Sequence, residues 1–236
     1  CRRQRRRRDR HRITTPRRAS APERFASHVQ RDQIALPFQW PVADRDEDFL
    51  VSDANRLAFT HFTRWSHWPV MATLLTGPRK SGRSLLAQIF ARKTSGRVLD
   101  QVEDRDEEEL FHAWNDAQAR RRPLVMIGTA PPPAWTIGLP DLASRIAATP
   151  QVAIAEPDDE LISQLIVKLL ADRGIAAPPD LPEFLVPRIE RSYVAIQQVV
   201  DVLDRDILAN RKRMSLAAAR HALQEAGLIR RAQRRA

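Results

Sequence analysis

The segment from Val70 to Ser84, VMATLLTGPRKSGRS, constrains the fold more than any other part of the chain. Residues 70–76 form a short apolar run that ends in turn residues, and such a run is typical of a buried strand. Gly77 and Gly82 delimit the turn. Apolar residues then recur at helical spacing, namely Leu85, Leu86, Ile89 and Phe90. The segment therefore predicts a strand, a loop large enough for a phosphate, and a helix.

The loop resembles the Walker A pattern, which is a glycine, four residues, a second glycine, and then lysine followed by serine or threonine. Gly77, Gly82 and Ser84 match this pattern, but Arg83 stands where the lysine belongs. Backbone N–H groups at a helix N-terminus favour an anion whichever cation lies nearby. Arginine is a longer planar fork than lysine, so both phosphate fit and hydrolysis are expected to suffer. The candidate nucleotide-binding residues of the loop are Gly77, Pro78, Arg79, Lys80, Ser81, Gly82, Arg83 and Ser84. An ordinary strand-to-helix turn is the alternative interpretation.

Composition separates a basic N-terminal tail from the rest. Residues 1–31 hold twelve arginines against Asp9 and Glu23, a net charge of +10 that equals the charge of the whole chain. Because this segment is nearly free of apolar residues, residues 1–32 are predicted to be a disordered tail. Such a tail would bind nucleic acid non-specifically through residues 1–31. A solvated extension or a wrongly assigned start codon would explain it equally well.

Length and residue usage narrow the class of protein. With 236 residues, of which 43% are hydrophobic, the chain can bury one sizeable core and a smaller second domain. The single cysteine, Cys1, excludes a disulfide scaffold and points to a reducing compartment. No apolar run approaches the roughly 20 residues of a membrane span, and no secretory signal is recognisable. A cytoplasmic protein is therefore expected.

A short peptide, RDQIALPFQWP, follows the tail at residues 31–41. Its two prolines predict an extended conformation, from which Gln33, Leu36 and Phe38 would project while Pro37 stiffens the backbone. Residues 33–41 resemble the motif by which bacterial proteins dock on the replication sliding clamp. In that docking, apolar side chains fill a groove and glutamine adds a directional hydrogen bond. Folding of the peptide onto its own domain is the alternative.

A helix is predicted between residues 49 and 68, before the loop segment. Ser52 or Asp53 would cap this helix. The residues predicted on one side of it are Leu57, Ala58, Phe62 and Trp65. Asn55 and Arg56 read as solvated polar residues from composition alone.

Strands and helices alternate after the loop. Val98, Leu99 and Asp100 resemble a Walker B strand, whose carboxylate would hold Mg²⁺ together with Ser84. About sixteen positions separate Ser84 from Asp100, too few for the usual extra strand and helix, so the sheet is expected to be trimmed at one edge. Gln101 follows Asp100 where a water-activating carboxylate is usual, and an amide cannot accept the proton.

The remaining core elements are a helix over 107–120, a strand over 123–129 that ends in Thr129, a helix over 139–147 that presents Arg145, and a strand over 151–155. This alternation predicts an α/β fold with a parallel sheet in residues 42–155. Its ligand belongs at the carboxyl ends of the strands, where the loop, Asp100 and Thr129 meet. Residues 156–236 predict an all-α lid of about four helices. In that lid Leu161, Leu165 and Leu169 line the first helix.

The series NRLA (55–58), GPRKSGRS (77–84), VLDQVE (98–103), IGTAPPP (127–133) and LPDLASR (139–145), followed by the helical lid, resembles the AAA+ domain of the replication initiator DnaA. The likeness covers roughly residues 33–228 and is greatest to the Hda type of DnaA-related protein of alphaproteobacteria. It implies a P-loop NTPase with a three-layer αβα core, and ATP or ADP with Mg²⁺ between core and lid. Asn55 and Thr129 would then lie near the nucleotide, and self-association is compatible with the family. The chain ends after the lid, so the helix-turn-helix domain by which DnaA reads its origin is not expected.

The resemblance also implies a function, namely negative regulation of replication initiation by promoting hydrolysis of DnaA-bound ATP, with the sliding clamp and DnaA as partners. Arg145 matches the arginine finger of the family, which acts in trans, and its alternative role is a helix-end salt bridge. Arg83, Gln101 and Ala195, where a lid arginine is expected, depart from the family, and Arg191 would substitute for that arginine. The chain is therefore expected to bind nucleotide but to hydrolyse it poorly. An autonomous AAA+ ATPase that remodels or loads replication proteins, and a nucleic-acid-binding accessory protein, remain as alternatives.

Overall fold

The structure is a computed structural model that describes residues 49–210 and 213–229. Its four parallel strands form one sheet in the order β2-β3-β1-β4. The strands are β1 (Ala72–Thr76), β2 (Arg97–Leu99), β3 (Leu124–Ile127) and β4 (Gln151–Ala153). Every residue of β1 and β3 is buried, as expected for central strands that are covered on both faces. The predicted parallel sheet is confirmed.

The sheet is trimmed at the β2 edge, as the short distance between Ser84 and Asp100 predicted. Only Ser95 and Gly96 separate the helix after the loop from β2, so no further strand lies between them. Arg97, the first residue of this edge strand, is exposed. A charged side chain at a sheet edge discourages pairing with another chain.

Helices cover both faces of the sheet. They are α1 (Arg56–Thr63), α2 (Arg83–Thr94), α3 (Glu107–Arg120) and α4 (Pro140–Ala148). One apolar cluster joins α1 and α2 to the sheet through residues such as Phe62 and Phe90. Another joins α3 and α4 to the opposite face through residues such as Leu110 and Leu142. The core is therefore the three-layer αβα arrangement that the sequence predicts.

The predicted face of α1 is wrong at Leu57. The helix begins at Arg56, and its buried residues are Ala58 and Phe62, whereas Leu57 is 78% exposed. Adjacent helical residues point about 100° apart, so a helix that buries Ala58 turns Leu57 outward. No side chain caps α1, since the position before it is Asn55 and not Ser52 or Asp53. Trp65 lies beyond α1, in a short 3-10 turn.

The C-terminal part of the described chain is a bundle of four helices, as predicted. They are α5 (Asp159–Asp172), α6 (Leu181–Leu185), α7 (Tyr193–Asn210) and α8 (Leu216–Glu225). Asp158 caps α5 by accepting a hydrogen bond of 2.7 Å from the Leu161 N–H. Ser215 caps α8 in the same way. These helices enclose their own apolar core.

The buried face of α5 differs from the prediction. Ile162, Ile166 and Leu170 are fully buried in the lid core, whereas Leu165 and Leu169 lie at its border. Leu161 is also buried, but it packs against the α1–α2 side of the sheet. The prediction placed Leu161, Leu165 and Leu169 on one buried face. Because α5 has apolar side chains toward both the lid and the sheet, periodicity alone does not separate its two buried faces.

Hydrogen bonds tie the base of the lid to the sheet layer. The Tyr193 hydroxyl donates to the Ala155 carbonyl at 3.1 Å, and the Ala54 N–H donates to the Asp158 carboxylate at 3.1 Å. Burial, with the nearby charges of Glu156 and Asp158, raises the pKa of Tyr193 to about 12. Across residues 49–210 and 213–229, no helix is both long and apolar enough to cross a membrane.

Candidate functional site

The loop between β1 and α2 has the geometry of an anion cradle. Gly77 has a φ of 147°, and a Cβ there would lie 2.6 Å from the Ile154 carbonyl oxygen. Gly82, at the N-cap of α2, has a φ of 85° and leaves the helix without a side-chain cap. The Ser81 hydroxyl is buried without a hydrogen-bond partner in the described residues. Uncapped N–H groups and an unpartnered buried hydroxyl fit a bound phosphate.

A cavity of about 430 Å³ opens at this loop, at the carboxyl ends of the central strands. Its polar lining comes from the loop and from the segments after β2 and β3, namely Arg79, Lys80, Arg83, Ser84, Asp100, Gln101, Glu103, Asp104, Gly128 and Thr129. The predicted convergence of the loop, Asp100 and Thr129 is therefore observed. A wider and more open groove of about 620 Å³ lies between β2 and α3, around Arg97 and His112, away from the loop.

Ser84 and Asp100 meet in this cavity. The Ser84 hydroxyl donates to Asp100 Oδ2 at 2.6 Å, and the Gln101 N–H donates to Asp100 Oδ1 at 2.8 Å. A hydroxyl beside a carboxylate fits Mg²⁺, which usually takes few protein ligands and keeps waters and phosphate oxygens. Within the described residues, no group of three or more His, Cys, Asp or Glu side chains could hold a metal without such help. The two side chains would hold Mg²⁺ only together with a nucleotide.

Arg83 points its guanidinium toward the end of β3. Its Nη1 donates a hydrogen bond to the Gly128 carbonyl. A lysine presents one compact ammonium group, whereas the guanidinium of arginine has two terminal nitrogens. One of these can donate to a backbone carbonyl while the other stays available to a phosphate. The arginine is therefore partly committed to the protein backbone, and the loss of phosphate fit stays a prediction.

Glu103 belongs to the site, although the sequence did not single it out. A 3-10 turn over Val102–Asp104 folds it back over the end of β3. There its Oε1 accepts hydrogen bonds from the Thr129 N–H at 2.9 Å and from the Thr129 hydroxyl at 2.6 Å. Its Oε2 is buried and has no hydrogen-bond partner among the described residues. The only signal in the sequence is an acidic residue three positions after Asp100. This spacing indicates a site residue only when the 3-10 turn between the two positions is known.

The Glu103 carboxyl is ionised at neutral pH. Partial burial alone would raise its pKa, but the hydrogen bonds from Thr129 and the charge of Arg83 outweigh burial and lower the pKa below its ordinary value. The lining of the cavity thus includes a charged carboxylate, one oxygen of which is buried without a hydrogen-bond partner among the described residues. That oxygen lies beside Gly128, because a Cβ on Gly128 would lie 3.3 Å from it.

Asn55 and Arg191 do not line this cavity. Asn55 is buried, contrary to the solvated position predicted from composition, and its amide donates to the Leu50 carbonyl at 2.8 Å while accepting from the Ser52 N–H at 3.0 Å. Arg191 is exposed and forms an ion pair with Asp159 at 2.7 Å. Ala195 is buried in α7. Gln33, Leu36, Pro37 and Phe38 lie outside the described residues.

Arg145 lies on α4 and faces α3, outside the cavity lining. Its guanidinium carbon is 4.5 Å from the centre of the Phe111 ring and 4.9 Å from the centre of the Trp114 ring. Both distances are within the range of a cation–π interaction. Its Nε is buried without a hydrogen-bond partner in the described part of the chain. The residue is therefore held against two aromatic rings, and it forms no salt bridge with any residue in the ranges 49–210 and 213–229.

The phosphate cradle, the Ser84–Asp100 pair at the ends of parallel strands, and the four-helix lid together define an AAA+ P-loop NTPase fold. No known family profile matches the sequence. Domain III of the replication initiation protein DnaA from Thermotoga maritima superposes with a TM-score of 0.64 at 15% identity, over 78% of this chain and 96% of that chain.

Two further solved structures agree. AMPPCP-bound DnaA from Aquifex aeolicus superposes with a TM-score of 0.53 at 16% identity, over 66% of this chain and 63% of that one. The RuvB Holliday junction branch migration motor of Thermotoga maritima gives a TM-score of 0.57 at 14% identity, over 77% and 72% of the two chains. Identities this low establish the fold alone. This chain spans less than two thirds of the Aquifex DnaA chain.

Proposed function

We propose that this protein is a DnaA-related AAA+ regulator of chromosomal replication initiation, which binds an adenine nucleotide and promotes hydrolysis of ATP on DnaA. The observation that carries the proposal is the superposition on DnaA domain III over 96% of that domain, together with the phosphate cradle at the loop after β1 of this chain. The nucleotide assignment is supported by the DnaA structure that contains AMPPCP.

The site favours nucleotide binding over hydrolysis of the protein's own nucleotide. Gln101 has no proton-accepting group, and Arg83 is engaged by the Gly128 carbonyl. Thr129, which would otherwise orient water or phosphate, donates its hydroxyl to Glu103. Ser84 and Asp100 would hold Mg²⁺ with the phosphates, and this metal would neutralise phosphate charge.

Arg145 is the residue that we assign to action in trans. It lies outside the cavity of its own chain, so it cannot serve that nucleotide without rearrangement. Contact with Phe111 and Trp114 restricts the conformations of the Arg145 side chain. This restriction lowers the conformational entropy that is lost when the guanidinium binds a phosphate of a neighbouring subunit. The peptide around Gln33 and Phe38 is proposed to bind the sliding clamp. This binding would hold the protein close to DnaA.

One observation favours a second function, that of an autonomous ATPase. Glu103 is an ionised carboxylate at the lining of the cavity, and after a rotation that exposes its buried, unpartnered Oε2 it would accept a proton from an attacking water in place of residue 101. Steady turnover of ATP by the protein alone, abolished by Glu103→Gln, would favour this second function.

The proposal is tested with DnaA that carries labelled ATP. The protein, the sliding clamp and DNA are added together or with one component omitted, and the conversion of bound ATP to ADP is followed. Conversion that requires this protein and is enhanced by the DNA-loaded clamp supports the proposal. Conversion at the same rate without the protein contradicts it.

A further inference from the structure

Lys80, near the middle of the loop between β1 and α2, has a backbone conformation that lysine rarely adopts. Its φ is 66°, and the Ser81 N–H donates to the Pro78 carbonyl at 3.3 Å, so residues 78–81 form a turn with Lys80 at the third position. Glycine is favoured where that position has a positive φ, because a Cβ crowds the backbone there. Lysine therefore strains the loop, and a strained residue of this kind is typical of a functional site.

No side-chain contact inside the described part of the chain compensates this strain. Lys80 is exposed, and its ammonium forms no ion pair or hydrogen bond with any described residue. It lines the cavity at the loop together with Arg79 and Arg83. Two carboxylates of the same lining, Asp100 and Glu103, accept hydrogen bonds from other groups instead. The ammonium is therefore available to a ligand in the cavity.

Arg83 holds the position of the Walker A lysine, but its guanidinium already has contacts within the protein. One terminal nitrogen donates to the Gly128 carbonyl, and the charge of Arg83 helps to lower the pKa of the Glu103 carboxyl. The positive charge at position 83 therefore partly serves a carboxylate of the protein. A compact ammonium, which is what the Walker A pattern places beside the phosphates, is missing from this position.

The residue that follows Lys80 carries a second unsatisfied group. Ser81 is only 6% exposed, and its hydroxyl has no hydrogen-bond partner among the described residues. Helix α2, which begins two positions later, has no side-chain cap. A buried hydroxyl, free backbone N–H groups and an ammonium within a few residues would all be satisfied by one anion with several oxygen atoms. A phosphate chain is an anion of this kind, whereas a single carboxylate offers only two oxygens.

We propose that Lys80 supplies the ammonium that binds the phosphate chain of a ligand in this cavity, in place of the lysine that Arg83 replaces. Lysine suits this role because its flexible four-carbon stem carries a compact charge, which can reach phosphate oxygens from a position outside the helix. Binding then offsets the strain at position 80, because the favourable contact forms only when the phosphate is present. The role of Lys80 rests on the proposed function in so far as the ligand is the adenine nucleotide, but it does not depend on action at DnaA.

The test compares wild type with Lys80→Gly and Lys80→Asn in the full-length chain. Both replacements remove the ammonium, and both tolerate a positive φ better than lysine does. Titration calorimetry with ADP, ATP and inorganic pyrophosphate, each with Mg²⁺, should show Kd values raised about tenfold or more, because a charge-assisted hydrogen bond is lost. The melting curve without ligand should shift in the opposite sense, with a Tm about 1 to 3 °C above wild type for Lys80→Gly.

A matched control is Arg121→Gly, which removes a positive charge and a strained φ elsewhere. Arg121 is exposed, has a φ of 52°, and follows α3 outside the cavity lining. This variant should raise the Tm to a similar extent, because glycine is the favoured residue in the left-handed conformation at a helix C-terminus. Its Kd values should equal those of wild type. A change in affinity that is confined to the position 80 variants therefore cannot come from net charge or from relief of strain.

The proposal is overturned if both position 80 variants bind ADP, ATP and pyrophosphate as wild type does, or lose no more affinity than the control. It is also overturned if wild type binds none of these ligands, or if Lys80→Gly melts below wild type, since lysine would then not strain the loop. Binding of pyrophosphate that needs Lys80, without binding of ADP or ATP, supports the role of Lys80 and contradicts the adenine nucleotide of the proposed function. Loss of affinity for nucleotides and pyrophosphate alike, with a raised Tm, supports both.

Discussion

Replacement of Arg145 by alanine separates a structural role from the proposed role in trans. The side chain contributes two cation–π contacts, with Phe111 at 4.5 Å and Trp114 at 4.9 Å. Each is worth about 0.5 to 1 kcal/mol for a half-buried arginine, so their loss costs about 1 to 2 kcal/mol. The same substitution removes a buried Nε that has no partner among the described residues, which returns about 1 kcal/mol.

The free energy of unfolding should therefore fall by no more than about 1 kcal/mol, which is a decrease of about 2 to 4 °C in Tm for a chain of this size. An arginine finger contributes roughly 10³ to 10⁵ in rate, or at least about 4 kcal/mol of transition-state stabilisation. The two magnitudes do not overlap. A large loss of activity at a nearly unchanged Tm would thus identify Arg145 as the finger.

The assay is conversion of DnaA-bound ATP with clamp-loaded DNA, at matched nucleotide occupancy, beside a melting curve for each variant. Arg145→Lys should rescue little, because a point charge does not reproduce the planar fork. Arg120→Ala is the control, since Arg120 is an exposed arginine of α3 whose partner is Asp116 on the same helix. Near-wild-type conversion by Arg145→Ala would refute the role in trans and leave Arg145 as a packing residue.

Three further predictions concern other parts of the chain. Replacing Gln33, Leu36 and Phe38 together by alanine should abolish binding to the sliding clamp and leave the Tm unchanged, because these residues would supply both anchors and the directional hydrogen bond; a clamp pull-down with wild-type yield would disprove it. The protein alone should bind adenine nucleotide with negligible turnover, and Gln101→Glu should raise turnover, as followed by phosphate release; a wild-type rate typical of active AAA+ enzymes would be incompatible with this prediction. The third prediction concerns His61, whose Nε2 lies 2.8 Å from the Thr73 hydroxyl and whose pKa burial lowers below 6.5. Its contribution to stability should be complete above pH 6.5 and fall as the pH drops below that value, because the unfolded state takes up the proton first. Denaturant unfolding between pH 7.5 and 5.5 should accordingly show a smaller loss for His61→Gln than for wild type, and equal losses would exclude His61 as the cause.

Order and spacing in the sequence were sufficient for the fold. The bounds of α3 agree with the prediction because local signals define both ends. Asp106 caps the helix through the Glu109 N–H at 2.8 Å, three acidic residues occupy the first turn, and Pro123 follows closely after the end. The trimmed edge was predictable because the chain between Ser84 and Asp100 is too short for another strand and helix.

The parts that escaped prediction depend on contacts between distant segments. Glu103 joins the site only because a 3-10 turn carries it to Thr129, 26 residues further along the chain. The prediction for Leu57 was wrong because the start of α1 depends on the hydrogen bonds of Asn55 with Ser52 and Leu50 in the preceding loop. The stacking of Arg145 on α3 needed the packing of two helices that apolar periodicity alone does not position.

The dual packing of α5 bears on how the protein melts. Leu161 is buried against the sheet layer, and Ile162 one position later is buried in the lid, so a single helix is part of both apolar cores. Unfolding of the lid alone would also expose apolar surface of the αβα layer. This exposure raises the free energy of intermediates in which one part is folded and the other is unfolded. Calorimetry of the full chain should therefore record one cooperative transition with equal calorimetric and van't Hoff enthalpies. A ligand that binds only at the loop after β1 would then protect the amides of α7 from hydrogen exchange as well, through the shared unfolding equilibrium and without any movement of the lid.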